Sequence, residues 1–197
     1  MDIRPVTLTG KFVRLEPLSL DHVAGLAVIG TQDSIWEYML YGMVKSEADM
    51  LAWVLEILHR GEGGADLPFA VIHLESGRPV GATRYLEIRP EHRTLEIGGT
   101  WYGLEYQRTP VNTEAKYLLL RHAFESLGAV RVQFKTDLRN IRSQKAIERL
   151  GAVREGILRQ HMITPEGVLR DSVYYSIIDN EWPEVKAHLE ELLERKT

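Results

Sequence analysis

Cysteine is absent from the 197 residues, which removes disulfide frameworks, thiolate metal sites and cysteine nucleophiles together. Long apolar runs are missing too. No stretch approaches the roughly 18 to 20 residues that span a bilayer, and the opening residues, MDIRPVTLTGKF, lack the apolar core of a signal peptide. A cytoplasmic protein without membrane association is the expectation. Nor is there an excess of positive charge: 24 Lys and Arg against 28 Asp and Glu leave a formal charge of -4, which argues against nucleic acid as a partner. The sequence has no repeat period. It has neither the G-x-x-x-x-G-K-S/T loop of nucleotide hydrolases nor a G-x-G-x-x-G after a strand. What remains, 44% hydrophobic and 26% charged residues, is the composition of a globular chain, expected to form one domain over residues 1–197.

The hydrophobic pattern predicts a strand over KFVRLEPL (11–18) and a short helix from Ser19 to Ile29. A second helix starts at the N-cap Ser46 and ends at GEGG, and the two form a helical lid. Three strands follow at 68–75, 80–88 and 94–102, joined by turns short enough for an antiparallel meander. The third contains Gly98 and Gly99, and paired glycines in a strand signal a bulge or a close backbone approach. A helix from Pro110 to Leu127 is stopped by Gly128, and VRVQFKT (130–136) alternates as a half-buried strand. A helix from Asn140 to Leu150, two strands at 153–163 and 168–178 and a last helix near Glu181 complete a mixed α/β or α+β order.

The run YQRTPVNTEAK (106–116) carries the first chemical signal. Thr109 ahead of Pro110 reads as an N-cap with proline at the first helical position, where an N–H would have no helical partner anyway. Backbone N–H groups of Arg108, Thr109, Val111, Asn112 and Thr113 therefore gather at the positive end of a helix dipole. Such an end either meets water, as most do, or holds an anion such as phosphate. Arg108, Arg139, Arg142 and Lys145 are expected near that end.

Strand, bulge, polar loop, helix, then strand and a second capped helix is similar to the order in the GNAT superfamily of N-acetyltransferases, which the sequence resembles over most of its length. The family's pyrophosphate pattern, Q/R-x-x-G-x-G/A, meets Gln107, Arg108, Thr109, Pro110, Val111 and Asn112. Proline and asparagine stand at the two small-residue positions, and one donor is lost to the proline. The fragments EIG (96–98), NTEA (112–115), LGAVRV (127–132), NIRSQKAIERLGA (140–152), EGILR (155–159), RD (170–171) and EW (181–182) resemble the RimJ/RimL branch. The resemblance implies a mixed, mostly antiparallel sheet of about seven strands flanked by helices. It implies acetyl-CoA as co-substrate, no metal, and a primary amine as acceptor, either a protein N-terminus or a small molecule. A homodimer is an expected assembly.

By the same resemblance the backbone of Thr100, Trp101 and Tyr102 pairs with the cofactor arm and polarises the thioester carbonyl. Ser143, which helical spacing places inward with Ala146, Ile147 and Leu150, either back-bonds within its helix or, as the resemblance implies, protonates the departing sulfur. Many GNAT enzymes use a tyrosine four residues further along, and here that residue is Ile147. Asn140 reads as an N-cap and, by resemblance, a contact to the cofactor arm. Two residues are candidate bases for the attacking amine: Glu96, otherwise a solvated carboxylate, and His161, otherwise a substrate-side or exposed histidine. A CoA-binding protein without turnover, and an unrelated interaction domain with a plain helix cap, remain alternatives.

Overall fold

The computed structural model describes residues 1–195. In chain order these form β1 (Leu8–Thr9), β2 (Val13–Pro17), α1 (Val23–Gly30), α2 (Asp33–Trp36), α3 (Glu47–Glu62), β3 (Leu67–His73), β4 (Arg78–Arg89), β5 (Thr94–Tyr102), α4 (Pro110–Arg121), β6 (Arg131–Asp137), α5 (Ile141–Glu148), β7 (Val153–Ile163), β8 (Leu169–Ile178) and α6 (Trp182–Glu194). The predicted order holds, with two short elements added. Leu8–Thr9 pairs with β2 as an eighth strand, and Asp33–Trp36 makes one helical turn in the lid. Neither is long enough to carry a period of its own. The helix expected to run from Pro110 to Leu127 is α-helical to Arg121, then widens into a π-type turn over His122–Ser126. Gly128, at φ +66, ends it.

Among the described residues the sheet runs β1-β2-β3-β4-β5-β6-β8-β7. Every neighbouring pair is antiparallel except β5 and β6. The parallel pair is forced by the α4 crossover, which returns the chain to the same end of the sheet. On one face α4, α5 and α6 bury Leu95, Ile97, Val132, Phe134, Val173 and Tyr175. On the other, α1 to α3 pack Trp36 and Trp53 against Trp101, Ala70 and Ala82. These tryptophans are core, whereas Tyr38 and Tyr41 sit at the lid's edge, beneath Arg139 and Arg84 respectively.

Helix α4 is buried almost all round, and its polar residues are therefore informative. The Glu114 carboxylate accepts three backbone N–H groups, from Lys11 at 2.7 Å, Phe12 at 2.6 Å and Val13 at 2.7 Å. It thereby pins the first hairpin to the helix. Replacing Glu114 by Ala would leave those donors unpaired, and each is costly to bury without a partner. A loss of about 2 kcal/mol is expected, read as a lower urea midpoint.

Candidate active site

Pairing between β5 and β6 covers Thr94–Arg131, Leu95–Val132 and Glu96–Gln133, then stops. Beyond it β5 stays bonded to β4 as far as Tyr102, and β6 stays bonded to β8 as far as Asp137. The two strands therefore part, and the β5 edge from 97 to 102 faces a cleft. The predicted bulge lies on this edge. Ala82 pairs with Trp101 and Arg84 with Gly98, so Gly99 and Thr100 together oppose Thr83. Gly99 takes φ +56, and a Cβ there would lie 2.8 Å from Arg84 Nε. Glycine is therefore required on both conformational and steric grounds. The extra residue shifts the side-chain phase: Leu95 and Ile97 face α4, and beyond the bulge Tyr102 does so while Trp101 turns to the lid.

The start of α4 stands beside this edge. Thr109 is the N-cap; its hydroxyl donates to the Tyr106 carbonyl at 2.7 Å and accepts the Val111 N–H at 3.3 Å. Arg108 holds φ +63 and turns the chain into the cap. The Gln107 amide donates to the Tyr102 carbonyl at 3.1 Å and accepts from Arg142 at 2.9 Å, clasping the end of β5 to α5. Val111 is buried in the core. The Thr113 hydroxyl is taken by Arg149 at 3.1 Å, so Val111 and Thr113 offer the cleft only backbone. Asn112 lies in the same first turn.

Across the cleft, Asn140 caps α5 by accepting the Ser143 N–H at 3.0 Å. Ser143 is half-buried. Among the described residues its hydroxyl has no hydrogen-bond partner, the carbonyl four residues back included, so the ordinary structural use of a helical serine is not made here.

Glu96 closes the inner end of the cleft. It is 2% exposed, which overturns the picture of a solvated carboxylate. Its Oε2 accepts from Gln133 at 2.8 Å and lies 3.5 Å from Lys135 Nζ. Its Oε1 has no bonded partner among the described residues and points along the strand, where a Cβ on Gly98 would lie 3.1 Å away. One oxygen is thus held and the other left open beside a residue without a side chain. Burial raises the carboxyl's pKa, while Lys135 and the Gln133 bond pull it back.

His161 reaches the same polar face through a second bulge. Between Leu158 and Met162, β7 carries more residues than β8 opposite it. Gln160 takes φ +48 there and donates its N–H to Asp171 at 2.7 Å. His161 Nδ1 lies 3.1 Å from Ser172 Oγ, and its Nε2 lies 3.4 Å from the Tyr174 hydroxyl. The Lys135 ammonium stands over the Tyr174 ring, 5.9 Å from its centre, so Lys135 links the Glu96 and His161 ends of one polar row. Burial, then Lys135 and Arg170, lower the His161 pKa.

One expectation needs correcting. Arg139 does not join the phosphate end. It clamps Asp137 at 3.0 and 2.7 Å and lies over the Tyr38 ring, because the Asp137 carboxylate, two residues away, is buried and needs a counter-charge. Sequence reasoning also passed over Lys116. It lies on α4, 5% exposed, and donates to Thr83 Oγ1 at 3.0 Å and Thr100 Oγ1 at 2.5 Å. The only available signal was a lysine at the position between Ala115 and Tyr117 in an otherwise inward-facing helix. No group of three or more His, Asp or Glu suited to a metal occurs among the described residues, and none of their helices is long and apolar enough to cross a membrane.

Comparison with known proteins places this geometry. A family model described as an acetyltransferase (GNAT) domain matches residues 13–153. A structure named "putative acetyltransferase", from T. thermophilus, is 42% identical with a TM-score of 0.89, over 98% of this chain and 100% of that one. A GCN5-related N-acetyltransferase from Brucella melitensis is 30% identical with a TM-score of 0.91, over 97% and 86%. The Bacillus subtilis (strain 168) protein named "Putative ribosomal N-acetyltransferase YdaF" is 34% identical over 91 residues. That match spans 46% of this chain and about half, 49%, of the relative, and it agrees with the resemblance to the RimJ/RimL branch.

Proposed function

The chain belongs to the GNAT acetyltransferase family, and from that premise we propose that residues 1–197 form one domain that moves an acetyl group from acetyl-CoA to a primary amine, on a protein N-terminus or a small molecule, by direct attack in a ternary complex. The observation that carries this reading is the parting of β5 and β6 after Glu96–Gln133, beside the capped start of α4. Together they offer an unpaired strand edge and a positive helix end, which suit the amides and the pyrophosphate of one extended molecule. The co-substrate supplies an activated acetyl group as a thioester.

Every other part falls to this chain. The 107–113 turn, with Gln107, Arg108, Thr109, Val111, Asn112 and Thr113 as its members, offers N–H donors, of which those of Gln107 and Val111 are also bonded within the chain, to the Leu104 carbonyl and the Thr109 hydroxyl. Pro110 withholds one donor, and Arg142, drawn in by Gln107, brings a cation to the same turn. Thr100 and Tyr102 present backbone groups to the cleft, whereas those of Trp101, contrary to the expectation, turn to β4, and Asn140 and Ser143 face the cleft from the start of α5. Glu96 Oε1 takes the proton from the amine, with His161 as the alternative at the far end of the polar row. Ser143 gives a proton to the leaving sulfur in this reading, which its hydroxyl, unpartnered among the described residues, supports.

Acetyl-CoA at 100 times its dissociation constant is expected to stabilise the fold by about 2.7 kcal/mol and to slow hydrogen exchange in the 107–113 turn. An unchanged melting curve at millimolar acetyl-CoA removes the assignment. Binding without CoA release against an array of peptides and small amines favours a CoA-binding regulatory protein instead.

A further inference from the structure

Lys116 is a basic group that the proposed chemistry does not use. Its Nζ, Thr83 Oγ1 and Thr100 Oγ1 form a closed triangle with sides of 3.0, 2.5 and 2.8 Å. Thr100 Oγ1 also reaches the Gly98 carbonyl at 3.4 Å. The hydrogens are accounted for: the amine donates to both hydroxyl oxygens, the Thr83 hydroxyl donates to Thr100, and the Thr100 hydroxyl is left for Gly98. One side chain from α4 thus grips the bulge on both sides of Gly99, within the strand edge that faces the cleft. Stability gives no reason to place an amine there. Burial pulls its pKa down to about 7, and among the described residues no carboxylate is paired with it. An apolar side chain of similar length would fill the same space without the desolvation cost.

We propose that Lys116 is a positioning residue that holds the Gly98–Thr100 bulge in shape, so that the backbone N–H groups of Thr100 and Tyr102 stand in the cleft as preformed donors to the thioester carbonyl. The inference rests on the acetyl-transfer reading given above. Preorganisation of this kind acts on the reacting group and not on the affinity for the rest of the molecule. It also ties the cleft to the helix whose first turn holds the phosphate end.

The test uses acetyl-CoA carrying a ¹³C carbonyl, observed by infrared difference spectroscopy on wild type and Lys116→Met. Wild type is expected to lower the bound carbonyl's stretching frequency. In Lys116→Met most of that lowering is lost and kcat falls about tenfold. Acetyl-CoA affinity stays within about twofold, and the melting temperature is equal or higher. Lys116→Gln, which keeps an N–H donor at slightly shorter reach, recovers part of the shift. A merely structural role would move the melting temperature and leave the carbonyl alone. An unaltered frequency and kcat in Lys116→Met overturn the proposal. If that variant does not fold, Thr83→Val, which removes one corner of the triangle, decides on the same signal: a partial loss supports the proposal and an unaltered frequency overturns it. A wild-type protein that binds acetyl-CoA without lowering the frequency fails differently, because it removes the donor role of the strand edge itself and the task of Lys116 with it.

Discussion

Glu96→Gln is expected to cut kcat/KM for an accepted amine by about 10²- to 10⁴-fold while leaving acetyl-CoA affinity nearly unchanged. The carboxylate is fixed through Oε2 by Gln133 and Lys135, and Oε1 is the atom left for the substrate. Glutamine preserves shape but cannot accept the proton. Stability should move the other way, and the sign follows from the raised pKa. A carboxyl whose folded pKa exceeds its unfolded value contributes stability that is fully present below the unfolded pKa and is lost as pH rises through the folded one. At neutral pH the wild type bears that loss and the amide does not, so the variant should melt at the same temperature or higher. The pH profile gives an independent check. The acid limb of wild-type kcat/KM should lie above that of an ordinary carboxylate, with activity falling as pH drops through it, and should disappear in the variant. A limb due to His161, whose pKa is lowered, would survive Glu96→Gln and vanish in His161→Asn. Wild-type rates in both variants would assign the proton to water or to the acceptor itself.

Ser143→Ala is expected to lower turnover by about 10²-fold, the lower end of the range for a positioned proton donor, because a hydroxyl is a weak acid. Expelling a bare thiolate is costly, and Ile147 leaves no other hydroxyl at the next turn of α5. The serine hydroxyl has no partner among the described residues, while its backbone N–H is satisfied by Asn140. Alanine therefore removes nothing the helix uses and carries the better helix propensity. Single-turnover acetyl transfer should slow while the melting temperature holds or rises. A variant that is stable and transfers at the wild-type rate would take Ser143 out of the chemistry.

The legible parts of this molecule were those set by near neighbours in the chain. The caps at Ser46, Thr109 and Asn140 were visible because a capping side chain and its donor lie two or three residues apart. The extent of β5 was visible because its bounding turn and its paired glycines lie within one short run. Glu96 is the contrasting case. Sequence placed it on the polar face of a strand, and it is on that face, but whether the face meets water depends on Gln133 and Lys135, 37 and 39 residues on, arriving beside it. Arg139 was misplaced for a similar reason: charge was counted and its partner was not, although Asp137 lies only two residues away. Lys116 was passed over because helical spacing marks a face as inward without saying what waits there. What it meets is Thr83 and Thr100, on strands far from it in sequence.

The bulge in β5 also makes the chain intolerant of changes in length. Its two halves are out of phase by one residue, with Leu95 and Ile97 before it and Tyr102 after it on the same face. Whereas deleting Gly99 would keep the destinations of Trp101 and Tyr102 and lose the bulge itself, inserting one more residue between Gly98 and Thr100 would reverse the phase beyond it and exchange them: the indole would be driven at α4 and the phenol into the tryptophan cluster of the lid. No single substitution at those two positions repairs that, because the error lies in counting and not in chemistry. Insertions belong elsewhere, in the exposed turn at 90–93 between β4 and β5. Related chains should therefore vary in length at that turn while keeping a fixed count of residues from Glu96 to Tyr102.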